Sequence, residues 1–369
     1  MKRLIYFELR KIFSRRLAQI ALIGVLLFTA LLSITTYRNK YAYDPYIGQG
    51  SGKAAVKIDK AAATRYEGVL TDETVRKMMS DFAPASDLHG MNAVYLYQNA
   101  TQSAAFARFA NQDGSWNGQT VSDVFGDEEI RIGYVDGWLS TSQNMVRSFV
   151  ALALAVIVMT APVFSGEYEG VDNIILTSRY GRTRCTAAKV TAGVFAAIFA
   201  TALTVALNLI LALLFYGTEG LDCSILFASI DYVEGFIPFN ITCGALVSYQ
   251  VLLAFTCTLS TVGATLLVSA MSKNQAVAFV VSMAVFLFPA LVPITEASPL
   301  FRLVGLLPLY HVLAVALLSV EQMRNGLLYA VWAVPAALFF LDNSPGGSWL
   351  CSGRSSRFRA ACAVRPHRK

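Results

Sequence analysis

The stretch VTAGVFAAIFATALTVALNLILALLFY, residues 190–216, contains no Asp, Glu, Lys or Arg from end to end. A bilayer core of about 30 Å is crossed by roughly 20 helical residues rising about 1.5 Å each, so this run can span it with room for tilt. The same test applied outward finds Gly244–Met271, Ala276–Ile294, Leu17–Thr36 and Ser148–Phe164. The last is short unless Met145–Arg147 extend it, with Arg147 snorkelling to the boundary. A sixth run, Gly326–Leu341, stops at Asp342 and reaches only about 24 Å. Leu303–Val320 is uncharged but carries Pro308 and His311 after Pro289, Pro293 and Pro299, which predicts a re-entrant or interfacial segment before the sixth span. The expectation is an all-α integral membrane protein with six transmembrane helices.

Composition agrees. Of 369 residues, 55% are hydrophobic and 15% charged, and the mean hydropathy is +0.52; a typical soluble domain carries about 25% charged residues. Soluble enzymes and disordered regulators are therefore poor fits. The net charge of +6 would suit nucleic acid, yet no readout motif is present, and bases beside spans orient them towards the cytoplasm. No nucleic-acid partner is expected.

Residues 1–16 hold six Lys or Arg, whereas residues 217–243 hold Glu219, Asp222, Asp231 and Glu234 and no base. The positive-inside rule places both termini, residues 165–189 and residues 272–275 in the cytoplasm of a multi-pass plasma-membrane protein. The first span exceeds a signal peptide's apolar core and is expected to remain as an anchor. The domains expected are residues 1–36, interfacial helix and first span; 37–147, an extracytoplasmic domain; 148–341, the bundle; and 342–369, an atypical basic tail.

The polar stretch Tyr37–Gln143 opens with Gly48-Gln-Gly-Ser-Gly-Lys53, which superficially suggests a phosphate loop. Ile47 stands where the first Gly belongs and Ala54 where Ser or Thr belongs, so a flexible turn is expected. Val56–Met79 and Met91–Phe109 favour helix, and Gly114–Gly118 and Gly126 mark turns, giving a mostly helical cap. Its aromatics, Tyr41, Tyr43, Tyr46, Tyr95, Tyr97, Trp116, Tyr134 and Trp138, suit packing or headgroup contact better than a ligand site.

Six cysteines, 185, 223, 243, 257, 351 and 362, lack the close spacing of zinc sites, so no metal is expected. Cys223 and Cys243 share the outer loop, where a disulfide and two buried thiols are both open, the thiols being favoured. His89, His311 and His367 are widely separated. No catalytic motif and no cofactor site appears, so the chain is read as a non-enzyme. Spans three to five hold no ionisable residue of the kind that binds a driving ion.

The most distinctive segment is cytoplasmic, Phe164-Ser-Gly-Glu-Tyr-Glu-Gly-Val-Asp-Asn-Ile-Ile-Leu-Thr-Ser-Arg-Tyr-Gly-Arg-Thr-Arg184, followed by Lys189. Acids lead and bases follow. On a helix from Glu167 to Thr177 the acids complement the dipole, and Val171, Ile174, Ile175 and Ser178 share one face. Such a helix suits docking into a groove on a soluble partner, and a lipid-facing loop is the plainer alternative.

Phe164, Glu167, Gly170, Leu176, Thr177, Ser178, Arg179, Gly181, Arg182 and Lys189 resemble the F-x-x-E-x-x-x-G, L-x-[ST]-x-x-x-R and terminal K pattern of the membrane subunits (permeases) of type-2 ABC exporters. Phe7–Arg16 looks like that family's N-terminal interfacial helix, with Ile5, Leu9, Ile12 and Phe13 forming an apolar stripe beside Arg3, Arg10, Lys11 and Arg15. The resemblance covers residues 1 to about 341 and rests on the order of features. It implies a separate ATPase coupled through Glu167, Glu169, Gly170, Arg179, Gly181 and Arg182. It also implies a second permease copy or paralogue, contact with membrane lipid, and export of a peptide, antibiotic or lipid. Residues 342–369 depart from the pattern, in the manner of a shifted reading frame or of a basic tail that binds anionic lipid. The alternative function is a non-transporting sensor whose Tyr37–Gln143 domain binds a ligand.

Overall fold

The computed structural model describes residues 1–83, 99–165, 181–228 and 240–291. The expected re-entrant segment, sixth span and tail lie outside the described residues. In chain order, α1 (Lys2–Ser14) and α2 (Arg16–Asn39) lead into a hairpin of β1 (Tyr41–Asp44) and β2 (Gly48–Ser51). Helices α3 (Lys53–Thr64), α4 (Asp72–Asp81), α5 (Ala100–Phe109) and α6 (Val121–Phe125) follow, with β3 (Gly68–Val69) paired antiparallel to β4 (Arg131–Ile132). Then come α7 (Asp136–Thr160), α8 (Pro162–Ser165), a π-helical turn (Gly181–Cys185), α9 (Thr186–Tyr216), α10 (Ile225–Ala228), α11 (Cys243–Met271) and α12 (Gln275–Leu291).

Four helical stretches are long and apolar enough to cross a membrane: Arg16–Asn39, Asp136–Ser165, Thr183–Tyr216 and Cys243–Met271. They correspond to the first four expected spans. The run expected as a fifth span contains α12, an apolar helix of 17 residues, about 26 Å long and shorter than the four helices above. The amphipathic N-terminal segment forms its own helix because Arg15 is extended (φ −74°, ψ 127°) and separates α1 from α2.

The inside-outside pattern of these helices is the reverse of a soluble bundle. On α2 the residues turned inward are Ala18, Val25, Thr29 and Ser33, while Leu17, Ile20, Ile23, Leu27, Leu31 and Ile34 are exposed. On α9 the buried row is Ala188, Ala192, Ala196, Ala200 and Thr204, whereas Phe195, Phe199, Ile210 and Leu214 face out. Water would penalise such a surface heavily; lipid does not. Between lipid-immersed helices there is little hydrophobic drive, so small residues that permit close backbone approach and side-chain hydrogen bonds hold the contacts.

Helix α7 is the hub, packed on α2, α9 and α11. Three hydrogen bonds between side chains cross between these helices. Thr36 Oγ1 donates to Asn144 Oδ1 (3.1 Å), Gln250 Nε2 to Ser142 Oγ (2.6 Å) and Thr201 Oγ1 to Thr258 Oγ1 (3.1 Å). At the end of the bundle that adjoins the domain between α2 and α7, Tyr37 stacks on Phe215 (4.4 Å between centroids) and lies edge-on to Tyr216 (6.0 Å). There Gly137 lets α7 touch the Tyr216 ring: a Cβ at this position would sit 2.6 Å from a ring carbon.

The domain between α2 and α7 builds a core together with the adjoining ends of the long helices: Met78, Phe106, Phe109 and Ile130 are buried with Trp138 of α7 and Leu246 of α11. Helix α7 begins at Asp136, well before the apolar run at Ser148, so its first turns, with Trp138 and Leu139, belong to this core. Two expectations are corrected. Gly48–Ser51 is a paired strand, because Asp44 closes the hairpin: its Oδ1 accepts from Tyr46 N (2.9 Å), its carbonyl accepts from Ile47 N (3.2 Å), and Gly48 takes φ +102°. The run Val56–Met79 is two helices with a strand between them, since Gly68 at φ +132° breaks the helix and Thr71 caps the next. Of Met91–Phe109, residues 100–109 are helical, and 91–98 lie outside the described residues. Turns at Gly114, Gly118 and Gly126 are present, each with positive φ.

Candidate coupling site

The segment with the most distinctive sequence joins α7 to α9. Glu167, Glu169, Gly170 and Arg179 lie outside the described residues. Gly181 and Arg182 form the start of the π-helical turn that leads into α9. What the structure builds in detail is the anchorage of the segment at its two ends.

On the upstream side α7 breaks at Ala161, where Pro162 opens the short α8. Ser269, buried near the end of α11, holds this break. Its Oγ donates to Ala161 O and accepts from the backbone N–H groups of Phe164 and Ser165, both at 3.1 Å. Ser165 Oγ donates to the same Ala161 carbonyl (2.9 Å). Arg15, at the joint between α1 and α2, donates through Nη2 to Pro162 O (3.2 Å). These bonds satisfy backbone groups that a helix end would otherwise leave orphaned in a buried setting.

On the downstream side the buried Lys189 of α9 places its Nζ 5.4 Å from the centroid of the Phe164 ring. This cation–π contact brings the two ends of the segment together. The helix registers agree. Phe164 is as far along the chain from Gly137 as Lys189 is from Tyr216, and Gly137 and Tyr216 touch at the outer end. Each path is about 40 Å, some 10 Å longer than a hydrocarbon core. The joint of Arg15, Pro162, Phe164, Lys189 and Ser269 thus gathers the ends of four helices at the basic end of the bundle.

The opposite end carries a second polar joint that sequence reasoning missed. Lys40, just after α2, pairs with Asp59 of α3 (2.8 Å) and with Asp136 at the start of α7. The Asp59 side chain is 2% exposed and also accepts from Ala100 N (3.2 Å). Arg65 pairs with the fully buried Asp44 (3.1 Å), and Lys60 with Glu219 (3.1 Å). Trp138 Nε1 donates to Glu219 O (2.9 Å). Tyr134 lies beneath the ammonium groups of Lys40 and Lys60 (5.7 and 5.4 Å), and burial pushes its phenol well above the usual range, the Asp59 carboxylate adding to the effect. The one signal in the sequence is an acid, Asp59, inside an alanine-rich helical run.

Cys223 and Cys243 are both buried thiols, and Cys243 N donates to Cys223 O (3.0 Å) beside the Ser224–Thr242 bridge. Burial, with Asp222 alongside, pushes the Cys223 thiol up to about 11. Among the described residues no cluster of His, Cys, Asp and Glu is arranged to hold a metal ion. No protein-family model, curated protein or solved structure matches the chain.

Proposed function

We propose that the chain is the membrane-spanning permease subunit of an ATP-driven exporter, with the ATPase on a separate chain. In this reading the ATPase docks on residues 165–189, two permease copies or paralogues form the pathway, and both termini face the cytoplasm of a plasma membrane. The substrate is amphiphilic, a peptide, antibiotic or lipid.

The observation that carries the reading is the pinning of the segment's two ends by Phe164, Lys189 and Ser269. A segment whose flanking residues Phe164 and Lys189 touch each other, with Phe164 also bonded to Ser269, can pass a force received from a soluble protein to α7, α9 and α11. The sequence motif supplies the docking face, and the joint supplies the mechanical connection. The sensor alternative draws on the outer joint, where Lys40 ties the outer domain to α2 and α7.

The test is whether the neighbouring reading frames include an ABC-type ATPase and whether the full chain copurifies with it. Glu167→Lys or Gly170→Trp is expected to abolish association and ATP-dependent export while membrane insertion is kept. Unchanged copurification removes the docking role. An adjacent kinase or regulator gene in place of an ATPase gene, with no export, favours the sensor.

A further inference from the structure

An apolar groove of about 540 Å³ runs between α1 and α9, lined by Ile5, Leu9 and Phe13 on one side and Phe195 and Phe199 on the other. Phe13 and Phe199, both in the lining, meet edge to face at 5.8 Å. Phe195 and Phe199 are each about half exposed, at 53% and 50%. The depth of the groove follows from the helix registers. Tyr37 and Tyr216 are level at the outer end. Equal steps inward along the chain reach Arg16 on α2 and Phe195 on α9, about 31 Å away on each helix. That distance matches the hydrocarbon thickness, so the groove opens at the inner boundary of the apolar layer, where a headgroup gives way to an acyl chain.

The rim of the groove is charged in a way that selects among lipids. On α1, Ile5, Leu9 and Phe13 lie at i, i+4 and i+8, between the buried Glu8 and Ile12 and the exposed row Lys2, Tyr6 and Arg10. That exposed row has the same spacing, so it runs parallel to the lining one helical stripe away. It puts two cations and a phenol hydroxyl beside an opening whose interior is apolar.

We propose that this groove is a binding site for one anionic glycerophospholipid. One acyl chain lies against Phe13, Phe195 and Phe199, and the headgroup phosphate is held by Lys2 and Arg10. The site requires membrane insertion but not the exporter reading, so each can fail alone. A zwitterionic lipid fits the apolar part equally well and gains little from the two bases, so headgroup charge is the discriminating property.

The experiment reconstitutes the full chain in phosphatidylcholine vesicles containing a trace of phosphatidylglycerol or phosphatidylcholine with a photoactivatable acyl chain. Cross-linked peptides are then mapped. Two bases near the headgroup predict labelling of residues 1–15 and 190–200 by the glycerol probe on the order of ten times that by the choline probe. Lys2→Gln combined with Arg10→Gln is expected to bring that ratio to about one while choline-probe labelling is kept. Leu9→Trp, which fills the groove, is expected to reduce labelling there by both probes. Equal labelling of the groove by the two probes in the unsubstituted chain overturns the proposal. So does a glycerol-to-choline ratio at the groove no higher than at Val280 and Leu214, which face out elsewhere on the bundle; both comparisons need no variant.

Discussion

Replacing Lys40 with Met removes the cation that Asp59 and Asp136 share and tests whether the outer joint holds the domain on the spans. Asp59 is 2% exposed, so after the substitution its carboxylate keeps the Ala100 N–H as a partner and loses its ion pair. Breaking a buried pair by deleting one member costs about 3–5 kcal/mol, because the stranded charge keeps its desolvation penalty. Asp136 is 32% exposed and contributes less, since water screens it. The expected loss is thus about 3 kcal/mol or more, a hundredfold or greater rise in the unfolded fraction of the outer domain. Asp59→Asn in the presence of Lys40 should cost less, because the ammonium retains Asp136. The double variant, Lys40→Met with Asp59→Asn, should be more stable than Lys40→Met alone, giving a coupling energy of about 2 kcal/mol. The assay is denaturation of the detergent-solubilised full chain, followed by fluorescence of the buried Trp138 and by proteolysis between residues 40 and 135. A Lys40→Met variant within about 1 kcal/mol of the parent, or a cycle with no coupling, refutes the reasoning.

Three other outcomes are expected. Ser269→Ala removes one donated and two accepted hydrogen bonds at the break after α7, so the bundle should lose about 1–3 kcal/mol and cysteines introduced at 164 and 165 should label faster; unaltered labelling excludes the clamp. The Cys223 thiol, raised to about 11 by burial, keeps its proton longer in the folded than in the unfolded chain. Its contribution to stability is therefore full below pH 9 and is lost as the pH rises through 11, and Cys223→Ala should flatten that part of the stability profile. Cysteines placed at 182 and 123 in a cysteine-free chain should label from the inside and from the outside of intact cells respectively, and labelling of residue 182 from outside inverts the orientation.

What is legible in the sequence follows from how each feature is encoded. An uncharged run of about 20 residues has few other uses, so α2, α9 and α11 can be read directly, while α7 shows only through the 17-residue run Ser148–Phe164, because its first turns carry Asp136 and Arg147. Local chemistry is legible where one residue decides it, as with the turns at Gly114, Gly118 and Gly126. The β1–β2 hairpin is not, because its pairing depends on Asp44 turning the chain back, and the stretch Gly48–Lys53 alone has too little side chain to announce a strand. Long-range polar joints are the least legible. Lys40 and Asp136 are 96 positions apart, and Ser269 reaches a carbonyl 108 positions away; neither leaves a periodic trace. Phe164 and Lys189 each stand out separately in the sequence, but their meeting depends on α7 and α9 keeping the same register over their whole length.

That shared register has a mechanical meaning. After Gly137, α7 contains neither glycine nor proline until Pro162, so it lacks the usual sites at which a helix bends. It behaves as a stiff rod with a pivot at each end, Lys40 and Tyr216 above and Ser269 below. A tilt of a few degrees at Ser269 would not be absorbed along the way; over about 36 Å it would arrive at the domain between α2 and α7 as a sideways shift of a few ångströms. A glycine pair introduced near Ala153 would turn the rod into a flail, leaving both ends folded and the Lys40 and Ser269 joints out of touch with each other.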